Sequence, residues 1–364
     1  MLLVGYLVAL VISFYLLAEV SDKYFVVSLD KLSQKFNMSH DMAGATFMAI
    51  GSSAPELFVS IIALVRPGGH EDIGVGTIVG SALFNLLVIV GAAAVVKNAV
   101  IAWQPVIRDL LFYAIAILGL YYVLYNGKIE LWEGLLLILF YGGYLFAVLK
   151  WRKWFNYKEL DEDPEEEEDE EKTGWQVIFK PLDWFLSKFF RHPDHFISNF
   201  ALSILMIAFL CWILVESAIG ISHILDIPEV VIALTVLAVG TSVPDMVSSV
   251  IVAKQGRAGM AVSNAIGSNI FDIFIGLGVP WFIKSLVTKK AIFFDIKGLD
   301  VSVGLLFGSV LLILFFLVWK KWRLTQNLGF TLILLYILYV IWEIFRVYLP
   351  DGAFMEFLNM QSFL

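Results

Sequence analysis

Ten apolar runs follow one another along the chain, five before and five after one long polar interruption. They fall at 2–19, 42–65, 73–96, 106–125 and 130–149, then at 197–222, 228–252, 259–284, 299–319 and 328–348. About 20 mostly apolar residues carry a helix across the hydrocarbon core of a bilayer. Backbone in lipid must satisfy its own hydrogen bonds, which helices do and open strands do not. The pattern therefore predicts an all-α membrane protein with ten transmembrane helices. Composition agrees: 60% of the residues are hydrophobic and 16% charged, against ~45–50% and ~25% in soluble domains. Three segments follow: a first five-helix half (1–149), an acidic loop (150–195) and a second five-helix half (196–364).

The formal net charge of −8 comes from the loop, where 11 of the 13 positions from Glu159 to Glu171 are acidic. Without that run the chain carries a net +3. No basic, aromatic-interleaved stripe exists outside the membrane loops, so nucleic acid is not an expected partner. The acidic run reads as a solvated linker, with weak calcium collection as its alternative. The first charged residue is Glu19. A cleaved signal peptide needs a positive leader, so 2–19 is expected to be retained as the first span. With the N-terminus outside, 18 Lys and Arg fall on the cytoplasmic side and 7 on the other. That bias places both termini outside and the loop in the cytoplasm of a multi-pass cell-membrane protein. A cluster from Lys284 to Lys297 runs against it.

The chain also repeats itself. GATFMAIGSSAPELFVS (Gly44 to Ser60) aligns with ALTVLAVGTSVPDMVSS (Ala233 to Ser249). Gly51 meets Gly240, Ser52 meets Thr241, Ser53 meets Ser242, Pro55 meets Pro244 and Glu56 meets Asp245. A second block aligns GTIVGSALFNLLVIVG (Gly76 to Gly91) with SNAIGSNIFDIFIGLG (Ser263 to Gly278), pairing Ser81 with Ser268 and Asn85 with Asp272. Each half holds an odd number of spans, so the second copy enters the membrane upside down. The predicted fold is thus two inverted-topology five-helix repeats, an arrangement that puts a binding site near the midplane of many transporters.

Carboxylates deep in a membrane span are costly and rarely face lipid. Glu56 and Asp245 each follow a proline. Proline deletes one backbone hydrogen bond and pushes on the carbonyl four residues back, here Gly51 and Gly240. Each motif thus supplies a carboxylate, two hydroxyls and loosened carbonyls. Doubled by the repeat, they make an all-oxygen cage with at least two negative charges. Calcium takes 6–8 oxygen ligands. No His or Cys belongs to the set, which disfavours zinc, copper and iron. Asp272 adds a third carboxylate opposite Asn85, and Ser81, Ser268, Asn264 and Asn269 lie nearby. Three carboxylates balance one calcium plus one monovalent cation, or three sodium ions. A lone intramembrane acid can instead be a protonated structural group, but two at matched repeat positions argue against that reading.

At these residues the sequence resembles the cation/calcium antiporter superfamily. Its potassium-dependent sodium/calcium exchangers in particular look similar to ATFMAIGSSAPELFVS, to GVGTIVGSALFN (Gly74 to Asn85) and to MAVSNAIGSNIFDIFIGLGVPW (Met260 to Trp281). The resemblance implies alternating access. It implies that Glu56 and Asp245 ligate calcium with the Ser52 and Thr241 hydroxyls and the Ala49 and Ala238 carbonyls. Sodium would share the carboxylates and use Ser53, Ser81, Ser242 and Ser268, while Asn85 and Asp272 line the centre. Asp at the position of Asp272 is associated in that branch with potassium transport, though potassium-independent microbial relatives carry it too. About 45 loop residues leave no room for the large calcium-sensing domains of some animal relatives.

The expected function is a sodium/calcium antiporter, with potassium cotransport left open. A proton/calcium exchanger and a cation channel are the rivals. The expected ligands are transported Ca2+, Na+ and, on the open reading, K+, with no resident cofactor. No nucleophile–base pair or cofactor loop accompanies the carboxylates, so no enzyme is expected. The remaining residues read as structural. Cys211 is expected to be a buried thiol. Glu19 and Glu216 read as interfacial or packing groups, and the five histidines as surface or interfacial ones. Glu343 and Arg346 read as a local ion pair. Trp103, Trp132, Trp151, Trp281, Trp319, Trp322 and Trp342 read as interfacial anchors.

Overall fold

The computed structural model describes residues 1–35, 49–155, 180–190, 195–293 and 299–348. Among the described residues, eight helices are long and apolar enough to cross a bilayer unbroken: Leu2–Leu29, Glu71–Val96, Trp103–Tyr125, Leu131–Trp151, Phe196–Leu225, Ala258–Thr288, Val301–Trp319 and Gln326–Arg346. The seventh span in chain order is the broken pair Glu229–Thr241 and Val243–Lys254, bent by 43°. The run at 42–65 is described from Ala49 on, as the helices Ala49–Ser52 and Ala54–Val65. The apolar runs and the helices therefore coincide wherever residues are described.

The first helix runs past the expected end at residue 19. Leu2–Val20 passes through a π-helical turn, Ser21–Val26, into Val27–Lys35. Polar Ser21, Asp22 and Lys23 end the apolar run without breaking the helix. Phe25 and Leu29 are buried on this extension, which packs on the sixth span. Part of the expected loop is also structured. Lys180–Ser187 is helical and lies on the first span. There the Tyr15 hydroxyl donates to Asp183 Oδ1 at 2.6 Å. Tyr24 stacks on Phe190 with centroids 3.6 Å apart, and Leu186 is buried. The acidic run Glu159–Glu171 lies outside the described residues.

Two short strand pairings reveal how the halves are related. Ala99–Val100, between the third and fourth spans, pairs with Arg323–Leu324, between the ninth and tenth. Lys128–Ile129, between the fourth and fifth, pairs with Ile292–Phe293, between the eighth and ninth. The 23-residue helix Trp103–Tyr125 separates the two pairings, so they lie ~34 Å apart at opposite ends of the helical body. Each linker pairs with the counterpart of its neighbour, and its own counterpart sits at the far end. A second copy running in the opposite sense produces that pattern.

Helix crossings follow the same symmetry. The third span's Gly91 lies against Gly329 of the tenth, and the fifth span's Gly134 against Gly278 of the eighth. A Cβ on Gly91, Gly134 or Gly329 would come closer than 3.0 Å to the facing helix. Small residues let membrane helices approach this closely. Gly91 and Gly278 are repeat counterparts, so the same crossing is built twice. Trp281 departs from the expected interfacial role. It is 1% exposed, inside the larger hydrophobic cluster, because the eighth span continues to Thr288 and leaves Trp281 about two turns short of its end. Trp103, Trp132 and Trp319 are exposed, as anchors would be.

Candidate cation site

Two kinds of irregularity converge at the centre of the body. The second and seventh spans break at Ser53 and Ser242, each the N-cap of a helix with proline in its first turn. The third and eighth spans loosen into π-helical turns, Asn85–Ile89 and Asp272–Leu277. Both turns begin on the position where the repeats differ, Asn85 against Asp272. Such π-helical insertions are frequent at functional sites. Close approach of the third span to the seventh depends on Gly80, whose added Cβ would collide with the Leu234 carbonyl and with Ala238.

These breaks bring the predicted residues together. Glu56, Asp245, Asp272, Asn85, Ser53, Thr241, Ser242, Ser81 and Ser268 are all at most 2% exposed, and Ser52 is half-buried. Each motif faces the carboxylate of the other half. Ser242 Oγ donates to Glu56 Oε1 at 3.5 Å, with Thr241 beside it. Ser52 faces Asp245 from the first half, and Ser268 lies beside it within its own half. Ser53 faces Asp272 without closing a hydrogen bond. Ser81 and Ser268 spend their protons on the Ile78 and Ala265 carbonyls, at 3.0 and 3.2 Å. Their oxygen lone pairs stay available to a cation. The Ala238 carbonyl accepts long bonds from Ser242 N (3.3 Å) and Thr241 Oγ1 (3.4 Å). Ala49 opens the helical turn that leads to Ser52.

Among the described residues, six oxygens of this cluster are buried and lack any donor: Glu56 Oε2, Asp245 Oδ1, both Asp272 oxygens, Asn85 Oδ1 and Ser53 Oγ. An unsatisfied buried acceptor costs ~1–3 kcal/mol, more when charged. Six at one locus fit a site whose missing partner is positive. Among the described residues, no three His, Cys, Asp or Glu side chains form a metal-holding group by themselves. Hydroxyl, amide and backbone oxygens must complete any coordination shell.

Sequence reasoning overlooked part of the surroundings. Asn269 is not a spare oxygen. Its Oδ1 accepts from Asn85 Nδ2 at 2.9 Å, and its Nδ2 donates to the Ala82 carbonyl at 3.1 Å and the Tyr113 hydroxyl at 3.2 Å. Asp109, buried one turn before Tyr113, pairs with Arg108 at 2.7 Å and accepts from Tyr144 at 3.2 Å. Arg108 is one of the 18 cations that the charge count puts on the cytoplasmic side, and here it is buried against Asp109. An acid and a tyrosine four apart in an otherwise apolar run were the available signal. Cys211 behaves as expected: it is buried, and its Sγ donates to the Pro55 carbonyl at 3.6 Å.

The linker at residues 66–70 and the helix start at Glu71 are tied across the molecule. Arg66 pairs with Glu216, His70 with Glu229 and Glu71 with Lys284, each at 2.8 Å. Lys284, which opposed the charge bias, is thus held in a cross-half ion pair. The expected Glu343–Arg346 pair forms at 3.6 Å, and Glu343 also accepts from Ser302 at 2.8 Å.

Inverted halves, broken helices and a buried oxygen cluster where they cross define a secondary-transporter architecture. The chain belongs to the sodium/calcium exchanger protein family, whose match covers residues 6–150 and 195–345. Human sodium/potassium/calcium exchanger 5 is 30% identical over 91% of this chain and 81% of its own length. Human sodium/potassium/calcium exchanger 4 is 29% identical, over 89% and 78%. Two solved structures share the fold. The sodium-calcium exchanger NCX_Mj superposes with a TM-score of 0.56 at 24% identity, covering 93% of this chain and 98% of that one. The H+/Ca2+ exchanger CAX gives a TM-score of 0.65 at 15% identity, over 92% and 82%.

Proposed function

We propose that this protein exchanges sodium for calcium across the cell membrane by alternating access, with both termini outside and the loop in the cytoplasm. The six donorless buried oxygens at the crossing of the two motifs carry this reading. They are hard ligands, and three of the residues that supply them are carboxylates. Glu56 and Asp245 hold calcium with the Ser52 and Thr241 hydroxyls and the Ala49 and Ala238 carbonyls. Sodium uses the same carboxylates with Ser53, Ser81, Ser242 and Ser268, while Asn85 and Asp272 line the centre. One set of oxygens cannot serve both ions at once. Competition for it makes the outward passage of one depend on the inward passage of the other, with the sodium gradient driving calcium export. Potassium rides with calcium if Asp272 carries a further monovalent ion. The protein works on inorganic cations in a lipid bilayer, and no catalytic step is assigned to it.

The likeness of the fold to a proton/calcium exchanger supports a second reading, in which Glu56 and Asp245 release protons instead of sodium. One experiment separates the two. Calcium flux is measured in proteoliposomes with sodium, potassium and pH gradients imposed independently. Calcium uptake driven by a sodium gradient is the expected result. Uptake driven by pH and indifferent to sodium would replace the first reading with the second.

A further inference from the structure

We infer that Asn269 and Tyr113 are positioning residues that keep the amide oxygen of Asn85 turned toward the transported cation. The inference rests on the exchanger reading and concerns the one site residue whose chemistry depends on which way round it sits. A side-chain amide has an oxygen that attracts a cation and an NH2 that repels it. The two orientations differ by a half-turn and fill the same volume, so only the hydrogen-bonding network chooses between them.

Here the choice begins at a backbone carbonyl. The Ala82 carbonyl can only accept, and Asn269 Nδ2 stands 3.1 Å from it. The same nitrogen reaches the Tyr113 hydroxyl at 3.2 Å. Asn269 is thereby fixed with its oxygen toward Asn85, which must answer with its own NH2, at 2.9 Å. That NH2 also reaches Ser268 Oγ at 3.3 Å. Asn85 Oδ1 is left buried without a donor. Tyr113 is fully buried and belongs to the fourth span, outside the aligned repeat motifs. One turn earlier on the same face, Asp109 accepts from the Tyr144 hydroxyl of the fifth span at 3.2 Å, and the fourth span packs along the eighth. That packing holds the Tyr113 oxygen in place. Asn269 is itself the repeat counterpart of Ala82. The asymmetry at the ligand position, Asn85 against Asp272, is thus backed by a second asymmetry one turn away.

The test is a double-mutant cycle read by calcium binding, which does not require transport. Full-length protein in detergent is assayed by equilibrium dialysis with radioactive calcium, with thermal unfolding as a check on folding. Asn269→Leu should weaken calcium binding about tenfold, the effect of a buried hydrogen bond worth ~1.5 kcal/mol. Tyr113→Phe keeps the ring and should weaken binding about twofold to threefold. In an Asn85→Ala background neither substitution should change affinity measurably, because both act through the same amide. Full effects that persist in that background overturn the inference, and so do unchanged affinities in the single variants. If Asn269→Leu does not fold, the Tyr113→Phe arm decides alone. Wild-type calcium binding that sodium does not compete away would sink the exchanger reading and leave the cycle free to settle the amide.

Discussion

At its crossings, each half carries the same solution. Gly91 against Gly329 and Gly134 against Gly278 are one contact built twice, and the two strand pairings are likewise one pairing built twice. Where the motifs meet, the halves part company. Glu56 stands opposite Asp245, Asn85 opposite Asp272 and Ala82 opposite Asn269. The difference separates two kinds of constraint. A helix crossing without room for a methyl group tolerates no variation, so symmetry persists there. A cation's ligand shell need not be symmetric, so charge and side-chain length are free to diverge at the centre while the scaffold around them stays duplicated.

The strongest way to break this comparison is to neutralise the paired carboxylates one at a time. Glu56→Gln and Asp245→Asn should each lower calcium flux in proteoliposomes more than about 100-fold, as loss of an ionic ligand worth several kcal/mol requires. Both variants should remain folded. Normal flux in either would show that the divergent centre is not the transport site.

A glycine pair sharpens the comparison next. Gly80 and Gly267 are repeat counterparts, yet a Cβ on Gly80 collides with the Leu234 backbone, while among the described residues one on Gly267 meets the Tyr144 hydroxyl alone, at 3.6 Å. Gly80→Ala should cost about 3 kcal/mol by overpacking. Gly267→Ala should fall within about 1 kcal/mol of wild type and even stabilise the helix. Equal losses in unfolding measurements would mean that the crossing of the third and seventh spans is not the tight contact seen here.

Asp272→Asn makes the ligand position symmetric and removes one negative charge. Potassium-stimulated calcium flux, if the wild type shows it, should fall about tenfold on losing a charged contact of ~1.4 kcal/mol. Sodium-driven flux without potassium should change less. A potassium response that survives would assign the ion elsewhere. The smallest effect is expected from deleting Glu159–Glu171, which should leave flux within about twofold of wild type, since solvated charge contributes little to a buried site. Loss of calcium activation in that deletion would make the acidic run a regulator.

Hydropathy alone located the helices, and the repeat alone found the carboxylates, because both signals are local and recur. What stayed hidden depends on partners far along the chain. The extension of the first helix through Ser21–Val26 is invisible to hydropathy, since its polar residues resemble a loop until the sixth span covers Phe25 and Leu29. Lys180–Ser187 lay within a stretch read as linker, and Leu186 and Phe190 become informative only once they are seen buried. The π-helical turns at Asn85 and Asp272 leave no compositional mark. Asn269 was noticed as an oxygen, but its orientation is set by Ala82, 187 positions earlier, and by Tyr113 on another span. Arg108 was counted as a cytoplasmic charge, yet it is 8% exposed and paired with Asp109.

The strand pairings have a consequence for biogenesis. Ala99–Val100 waits for Arg323–Leu324, more than 200 residues later, and Gly91 waits for Gly329. During synthesis the third span must therefore sit in the membrane with its glycine face covered by lipid or an insertion chaperone. Contacts this far apart close late. The first half completes its packing only after the last span has left the ribosome. A chain stopped before residue 323 would lack the tenth span and would present one unclosed crossing and one unpaired strand to quality control.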